Sequence, residues 1–190
     1  MARIVTLLTE GFADWETALI NAAGRSFYGC ETLFATPDGA PVTSAGGMRV
    51  LSDLAQSGID ADDTDALLIC GGTIWQTPQA PDIEATAKAM LQRGKVVGAI
   101  CDGTRALAKA GLLDELPHTG NGVGALDGTG YGGKAHYRDV PHAVTAGQLV
   151  TAPGTAPVSF MVAAMTALGF GGAELDYYVG LHAAQFARAA

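Results

Sequence analysis

The stretch Val96–Thr104 constrains the fold most, because a short apolar run there ends abruptly at a cysteine. Residues 96–100 are apolar, rich in β-branched side chains and of strand length, and an alanine-rich helical pattern follows from Arg105. A strand that passes directly into a helix, with a nucleophilic side chain at the corner, is the pattern of a nucleophile elbow. The sequence therefore makes Cys101 a candidate nucleophile held at a sharp turn.

Two interpretations of Cys101 stay open on this local pattern. The start of a helix places N–H groups and the positive end of the helix dipole beside the sulfur, which favours the thiolate. The carboxylate of Asp102 has the opposite effect, because a neighbouring negative charge raises the pKa of a thiol. In the alternative interpretation Cys101 is a small apolar residue that ends a buried strand, a common place for free cysteine.

Strand-like and helix-like patterns alternate along the chain. Strands are predicted at 4–8, 31–35, 65–70, 96–100 and 149–151, and a hairpin is predicted over 42–51 around Gly46 and Gly47. Helices are predicted from an N-cap at Asp14, from Pro81, from Thr104 to Gly111, over 157–168 and over 174–188. This alternation implies βαβ units, so we expect one three-layer α/β domain over residues 1–190 with a mostly parallel sheet and helices on both faces.

Composition limits the classes of function. The 190 residues include 11 Lys and Arg against 19 Asp and Glu, which gives a formal net charge of −8. This balance argues against a nucleic-acid partner, which needs a basic surface, and gives no attraction to an anionic membrane. The first residues do not resemble a signal peptide, and the three cysteines lack the spacing of a zinc site. We therefore expect a cytoplasmic protein with no metal and neither nucleic-acid nor membrane partners.

Three groups follow the carboxyl ends of predicted strands, where sites form in parallel sheets. Glu16 lies just beyond the first strand, Gly71 and Gly72 follow the strand 65–70, and Cys101 ends the strand 96–100. Glycine amides can approach a reacting carbonyl closely and form an oxyanion hole. The plainer interpretations are an ordinary turn for the two glycines and a carboxylate interacting with a helix dipole for Glu16.

These residues and their neighbours carry a resemblance to a known family. The segments that resemble the ThiJ/PfpI superfamily are 69–72, 99–113, 118–121 and 149–157, together with the first strand and Glu16 beyond it. That superfamily includes intracellular protease-like proteins, the Parkinson-associated deglycase, glyoxalase III-type enzymes and isonitrile hydratases, and it is related to class I glutamine amidotransferases. The resemblance covers nearly the whole chain and implies a flavodoxin-like sandwich with a nucleophile elbow.

The resemblance also implies roles for individual residues. Cys101 would be the nucleophile, and Glu16 would carry a proton and hydrogen-bond the thiolate. Gly71 and Gly72 would supply the oxyanion amide. A homodimer without a cofactor, acting on a small-molecule substrate, is the expected state of such a protein.

The chain departs from the family at two positions. Protease-like members carry His directly after the cysteine, where this chain has Asp102, and deglycase-like members carry a later His that falls on Asn121. Neither side chain replaces an imidazole near neutral pH, so peptidase and glutaminase activities are not expected. Asp102 could instead transfer protons beside the thiolate, and whether Glu16 or Asp102 does so stays open.

Several other residues are candidates for the pocket, and a structural role competes with each. The candidates for the wall of the pocket are Trp75, Thr104, His118 and Asn121. Cys70 could resolve an oxidised Cys101 as a disulfide, although a buried strand-end cysteine is the plainer interpretation. The segment 120–133 contains seven glycines and is either a mobile lid or a solvent-exposed loop.

The sequence thus leaves two functions from different classes. The first is a cofactor-independent cysteine enzyme, glyoxalase-, deglycase- or isonitrile hydratase-like, that acts on a small electrophilic substrate through Cys101 and Glu16. The second is a non-catalytic redox sensor in which Cys101 is oxidised to the sulfinic acid.

Overall fold

The apolar runs of the sequence form a seven-stranded sheet in the computed structural model, which describes residues 1–185. The strands of both sheets, in chain order, are β1 (Arg3–Leu7), β2 (Glu31–Thr36), β3 (Val42–Thr43), β4 (Arg49–Val50), β5 (Leu54–Ala55), β6 (Ala66–Ile69), β7 (Val96–Ile100), β8 (Val144–Ala146) and β9 (Leu149–Ala152). The large sheet has the order β5-β2-β1-β6-β7-β9-β8, and β3 and β4 form a separate hairpin. All neighbouring strands of the large sheet are parallel except β8 and β9.

Within residues 1–185, five α-helices cover the two faces of the large sheet. They are α1 (Asp14–Phe27), α2 (Glu84–Gln92), α3 (Thr104–Lys109), α4 (Pro157–Ala167) and α5 (Ala173–Ala184). Helices α1 and α4 pack together on one face, with α5 against α4, and α2 and α3 cover the other face. No helix within residues 1–185 has both the length and the apolar character needed to span a membrane. The predicted three-layer α/β fold is therefore confirmed.

Two apolar layers separate the sheet from its helices, because successive residues of a strand point to opposite faces. Ile4 and Leu68 face the α1–α4 layer, whereas Val5 and Leu67 face the α2–α3 layer, and all four are buried. A glycine is required at position 98, since a Cβ there would lie 2.9 Å from a ring carbon of Phe160. The five predicted strands all form, and their buried residues hold the sheet in the core.

The structure corrects some of the predicted boundaries. Asp14 is not the N-cap of α1: Ala13 occupies that position, and the Asp14 carboxylate accepts the Gly46 N–H at 2.7 Å. Helix α2 starts three residues later than predicted, because the Asp82 carboxylate accepts the Glu84 N–H at 2.9 Å. The short edge strands β5 and β8 were not predicted. Of the predicted terminal helix, residues 186–188 lie outside the described part of the chain.

Candidate active site

The turn after β7 has the strained geometry of a nucleophile elbow. Cys101 has a φ of 58°, and within residues 1–185 it is the only non-glycine residue with a positive φ. A left-handed conformation costs an L-residue about 1–2 kcal/mol, so the surrounding contacts must hold it. The Thr104 hydroxyl donates to the Cys101 carbonyl at 2.6 Å, and a Cβ at Gly103 would lie 2.6 Å from the Ile69 carbonyl oxygen. The elbow predicted from the sequence is therefore present.

A buried carboxyl group packs against the sulfur of Cys101. Glu16 lies in the first turn of α1, is fully buried and accepts the Gly71 N–H at 2.7 Å through Oε2. Within residues 1–185 its Oε1 has no hydrogen-bond partner. A Cβ at Gly154 would lie 2.8 Å from Cys101 Sγ and 3.1 Å from Glu16 Oε1, so the backbone of residue 154 closes over both groups. The structure thus brings together the two residues that the sequence paired.

Glu16 and Cys101 titrate as a pair. Burial raises the pKa of Glu16 to about 7. Burial and the neighbouring Glu16 charge raise the pKa of Cys101 to about 12, although hydrogen bonds from Asn121 and from the Asp102 backbone oppose this rise. Two anions in contact are costly, so the two steps belong to the pair, which holds one shared proton between about pH 7 and pH 12.

Asn121 donates a hydrogen bond directly to the candidate nucleophile. Its Nδ2 lies 3.1 Å from Cys101 Sγ, and its Oδ1 accepts the Gly154 N–H at 3.0 Å. The Tyr137 hydroxyl accepts the Gly122 N–H at 3.0 Å and donates to the Gly120 carbonyl at 3.2 Å. Tyr137 therefore fixes the backbone on both sides of Asn121, at the start of the glycine-rich segment.

Asp102 contacts the sulfur through its backbone and the surrounding amides through its side chain. Oδ2 accepts the Gln76 Nε2–H at 2.6 Å, and Oδ1 accepts the Asn121 Nδ2–H at 3.2 Å. The Asp102 N–H lowers the pKa of Cys101. Both carboxylate oxygens accept amide donors, and one of these donors, Asn121 Nδ2, also lies against Cys101 Sγ.

The two glycines after β6 differ in availability. The Gly71 N–H donates to Glu16, whereas the Gly72 N–H has no hydrogen-bond partner within residues 1–185. A Cβ at position 71 would lie 2.6 Å from Cys101 Cβ, so this position must be glycine. The Gly72 amide is therefore the one free to act as an oxyanion donor.

Three predicted pocket residues lie in the interior instead. Trp75 is 5% exposed and donates from Nε1 to the Cys70 carbonyl at 2.8 Å. Thr104 is buried beneath the elbow. His118 is fully buried, its ring nitrogens bond Leu116 O and the Tyr131 hydroxyl, and burial lowers its pKa. The apolar surroundings and backbone carbonyls of these side chains give each a structural role.

The structure adds three residues that the sequence reasoning missed. Trp15 is 55% exposed beside the site and donates from Nε1 to the Gly154 carbonyl at 3.0 Å. A continuous chain of hydrogen bonds lies over Cys101, and we call it the rim. It joins, in order, Trp15, Gly154, Asn121, Asp102 and Gln76. The position of Gly154, three residues beyond the end of the predicted strand 149–151, was a signal that could have found it.

The comparisons with known proteins agree with this geometry. The model of the DJ-1/PfpI family matches residues 2–167. The chain belongs to the DJ-1/PfpI family. Its structure is similar to the DJ-1 superfamily protein Atu0886 from Agrobacterium tumefaciens, with a TM-score of 0.95 and 43% identity over 98% of this chain and 100% of the other. The resemblance inferred from the motifs is therefore confirmed.

Curated relatives in this family carry different names. The chain is 30% identical over 123 residues to the uncharacterized protease YoaZ of Bacillus subtilis, a match that covers 64% of this chain and 58% of YoaZ. It is 34% identical over 119 residues to Deglycase TK1284 of Thermococcus kodakarensis, covering 58% of this chain and 67% of the deglycase. The chain therefore spans less than two thirds of YoaZ, and the family alone does not assign one activity.

Proposed function

We propose that this DJ-1/PfpI protein is a cofactor-independent cysteine enzyme that acts on a small electrophilic compound, in the first place a reactive carbonyl. The observation that carries the proposal is the left-handed elbow at Cys101, whose sulfur meets a buried carboxyl group and an amide donor. Strain at a residue with a nucleophilic side chain points to function, because the fold stabilises it at a cost. The name of Deglycase TK1284 supports the same class of activity.

The reactive form is the Cys101 thiolate beside a protonated Glu16. In this form the pair carries a single negative charge, and the sulfur accepts hydrogen bonds from Glu16, Asn121 Nδ2 and the Asp102 N–H. The thiolate attacks the carbonyl carbon and forms the S–C bond while the π electron pair moves to the oxygen. That oxygen takes the proton of Glu16 and accepts the free Gly72 N–H, which gives a neutral hemithioacetal.

An isonitrile is a second electrophile for the same arrangement. The thiolate adds to the terminal carbon of the isonitrile, and Glu16 protonates that carbon, so that the carbon–nitrogen triple bond becomes a double bond. The product is a thioimidate, which water can hydrolyse. Both substrates need one nucleophile and one proton donor in contact, which Cys101 and Glu16 provide. Peptide hydrolysis by a cysteine peptidase also uses a histidine that carries the proton of the thiol to the leaving amine, and within residues 1–185 no histidine hydrogen-bonds Cys101.

The proposal is tested by turnover of methylglyoxal and of an alkyl isonitrile by the purified protein. Cys101→Ala and Glu16→Gln should abolish or strongly reduce turnover, because they remove the nucleophile and the proton donor. Cys30→Ala is the matched control, since Cys30 is a free, buried cysteine in the α1–α4 layer. Turnover that survives Cys101→Ala would overturn the proposal.

A redox role is the competing function, and the donors around the sulfur favour it as a second candidate. Asn121 Nδ2, the Gly72 N–H and a protonated Glu16 could hold the oxygens of a cysteine sulfinate. Mass spectrometry after stoichiometric peroxide treatment separates the two functions. Rapid, selective oxidation of Cys101 in a protein without turnover would support the sensor, whereas turnover lost on oxidation would support the enzyme.

A further inference from the structure

We propose that the Asp102 carboxylate makes Cys101 selective for uncharged or cationic electrophiles and excludes anionic ones, such as 2-oxo carboxylates and phosphorylated carbonyls. This inference rests on the proposed function of Cys101 and names its class of substrate. The observation behind it is a fixed negative charge at the mouth of the site that forms no ion pair with any side chain of residues 1–185.

The Asp102 carboxylate is fixed close to the sulfur by two amide side chains. Its Oδ1 shares the Asn121 Nδ2 donor with Cys101 Sγ, at 3.2 Å and 3.1 Å respectively. Gln76 holds the second carboxylate oxygen at 2.6 Å. The side chain is partly exposed, so its charge acts on a reagent that approaches Cys101 from solvent.

The polar side chains around this carboxylate do not neutralise it. In the described part of the chain, the side chains that hydrogen-bond Cys101 Sγ or the Asp102 carboxylate are those of Glu16, Asn121 and Gln76, which are amides or a carboxyl group. Arg105 lies on the helix that follows the elbow, but its guanidinium is held by the carbonyls of Trp75, Ala125 and Asp127. The Glu16–Cys101 pair itself adds a negative charge after its first proton is lost.

Charge selection of this kind has a clean measurable signature. Iodoacetamide and iodoacetate alkylate a thiolate by the same displacement of iodide, but only iodoacetate carries a negative charge. The ratio of their rate constants at Cys101 therefore cancels any change in the fraction of thiolate and reports the local field. A nearby unit charge lowers this ratio through direct Coulomb repulsion.

The experiment measures both rate constants at Cys101 by peptide mass spectrometry on the full chain. Asp102→Asn should raise the iodoacetate to iodoacetamide ratio about three- to tenfold, while Asp102→Glu, which keeps the charge, should leave it low. Asp38→Asn is the matched control, because it removes one charge from an exposed turn where the carboxylate bonds only the Ala40 N–H. An unchanged ratio in Asp102→Asn, or an equal rise in Asp38→Asn, would overturn the proposal.

A second arm uses the unaltered protein and does not depend on any variant folding. Raising the ionic strength from about 0.01 M to 0.5 M should raise the wild-type ratio, because salt screens a charge near the surface. A ratio independent of salt would contradict the proposal. If Cys101 shows the expected ratio of iodoacetate to iodoacetamide rate constants but the protein turns over neither methylglyoxal nor an isonitrile, the proposed function fails while the charge selection stands. If glyoxylate, which is anionic, is turned over as fast as methylglyoxal, the charge selection alone is overturned.

Discussion

Two cysteines touch the same buried carboxyl group, and they differ in almost everything else. Cys70 follows β6 and Cys101 follows the neighbouring strand β7, and each has its sulfur within reach of Glu16. Cys70 is fully buried, its sulfur lies 3.4 Å from the Ala13 carbonyl, and burial raises its pKa. Cys101 is partly exposed, stands in a left-handed turn and faces N–H donors.

The comparison separates the features that we propose activate the Cys101 thiol from those that Cys70 shares. Contact with Glu16 is common to both cysteines, so it is not sufficient. Cys70 also has a donor, the Thr17 hydroxyl at 3.7 Å, but full burial and the neighbouring Glu16 charge outweigh it and raise the pKa of Cys70. Cys101 is partly exposed and accepts the closer Asn121 N–H at 3.1 Å. The elbow supplies access, and the donors supply the charge stabilisation.

The largest effect is expected from removing each sulfur in turn. Cys101→Ala should lower turnover by at least about a thousandfold, as loss of a nucleophile does elsewhere. Cys70→Ala should keep turnover within a few-fold, because the proposed reaction uses Cys70 at no step. Steady-state kinetics with methylglyoxal measures both. Comparable losses in the two variants would break the distinction and favour a role for Cys70 as the resolving cysteine of the disulfide hypothesis.

The raised pKa of Glu16 should appear as a pH-dependent loss of stability. The folded Glu16–Cys101 pair loses its first proton near pH 7, whereas the Glu16 carboxyl of the unfolded chain loses its proton near 4.5, so the retained proton stabilises the fold fully below pH 4.5 and that contribution is lost between pH 4.5 and 7. The side chain at position 16 stays neutral in Glu16→Gln, so the free energy of unfolding of this variant should rise by about 3 kcal/mol relative to that of the wild type between pH 4.5 and 7. Urea unfolding at pH 4.5 and pH 7.5 measures the gain. A difference that is independent of pH would contradict the assignment.

Closing the space over the sulfur should lower turnover about a hundredfold, the effect of a displacement of about 1 Å at a reacting centre. Gly154→Ala does this, because its Cβ would lie 2.8 Å from Cys101 Sγ. Gly171→Ala is the control, since nothing lies within 4 Å of a Cβ there. Alkylation of Cys101 and turnover should fall together in the first variant, and normal rates would show that residue 154 can move aside.

The smallest effect concerns the amide donor and the tyrosine that positions it. Asn121→Ala removes a hydrogen bond to a charged sulfur. The pH at which the rate of Cys101 alkylation has its inflection should therefore rise by about one unit. Tyr137→Phe should cause a smaller rise that is not additive with it, because Tyr137 acts through Asn121. Tyr131→Phe is the control, as its hydroxyl bonds His118 instead. Equal shifts in both tyrosine variants would assign the effect to general loosening.

Part of this site could be predicted from the sequence for a clear reason. The elbow at Cys101 and the position of Glu16 follow from where apolar runs end, and the ends of parallel strands meet at one edge of the sheet. The early strands were predicted within a residue or two for the same reason. Short edge strands such as β8 bury less apolar surface, so their pattern is weak.

The rim over Cys101 could not be predicted because its contacts join distant parts of the chain. Trp15 bonds Gly154 across 139 positions, and Asn121 lies in a glycine-rich segment whose conformation no local pattern sets. Sequence reasoning noticed Asn121 only as the replacement for a histidine, whereas the structure makes it a donor to the sulfur. His118 was a candidate for the pocket, yet its burial beside Tyr131 depends on tertiary packing.

The central claim is that Cys101 is a thiolate held by a protonated Glu16, and the pH dependence of its alkylation tests this most directly. The measurement follows iodoacetamide labelling of Cys101 by peptide mass spectrometry, with Cys70 as an internal reference, in the wild type and in Glu16→Gln. The account predicts that labelling of Cys101 follows the first titration of the Glu16–Cys101 pair, with an inflection near pH 7, and that Cys70 is not labelled. It also predicts a modest upward shift of the inflection in Glu16→Gln, because an amide is a weaker donor than a carboxylic acid. An inflection at or above the ordinary thiol value of about 8.5, or a downward shift in Glu16→Gln, would contradict it.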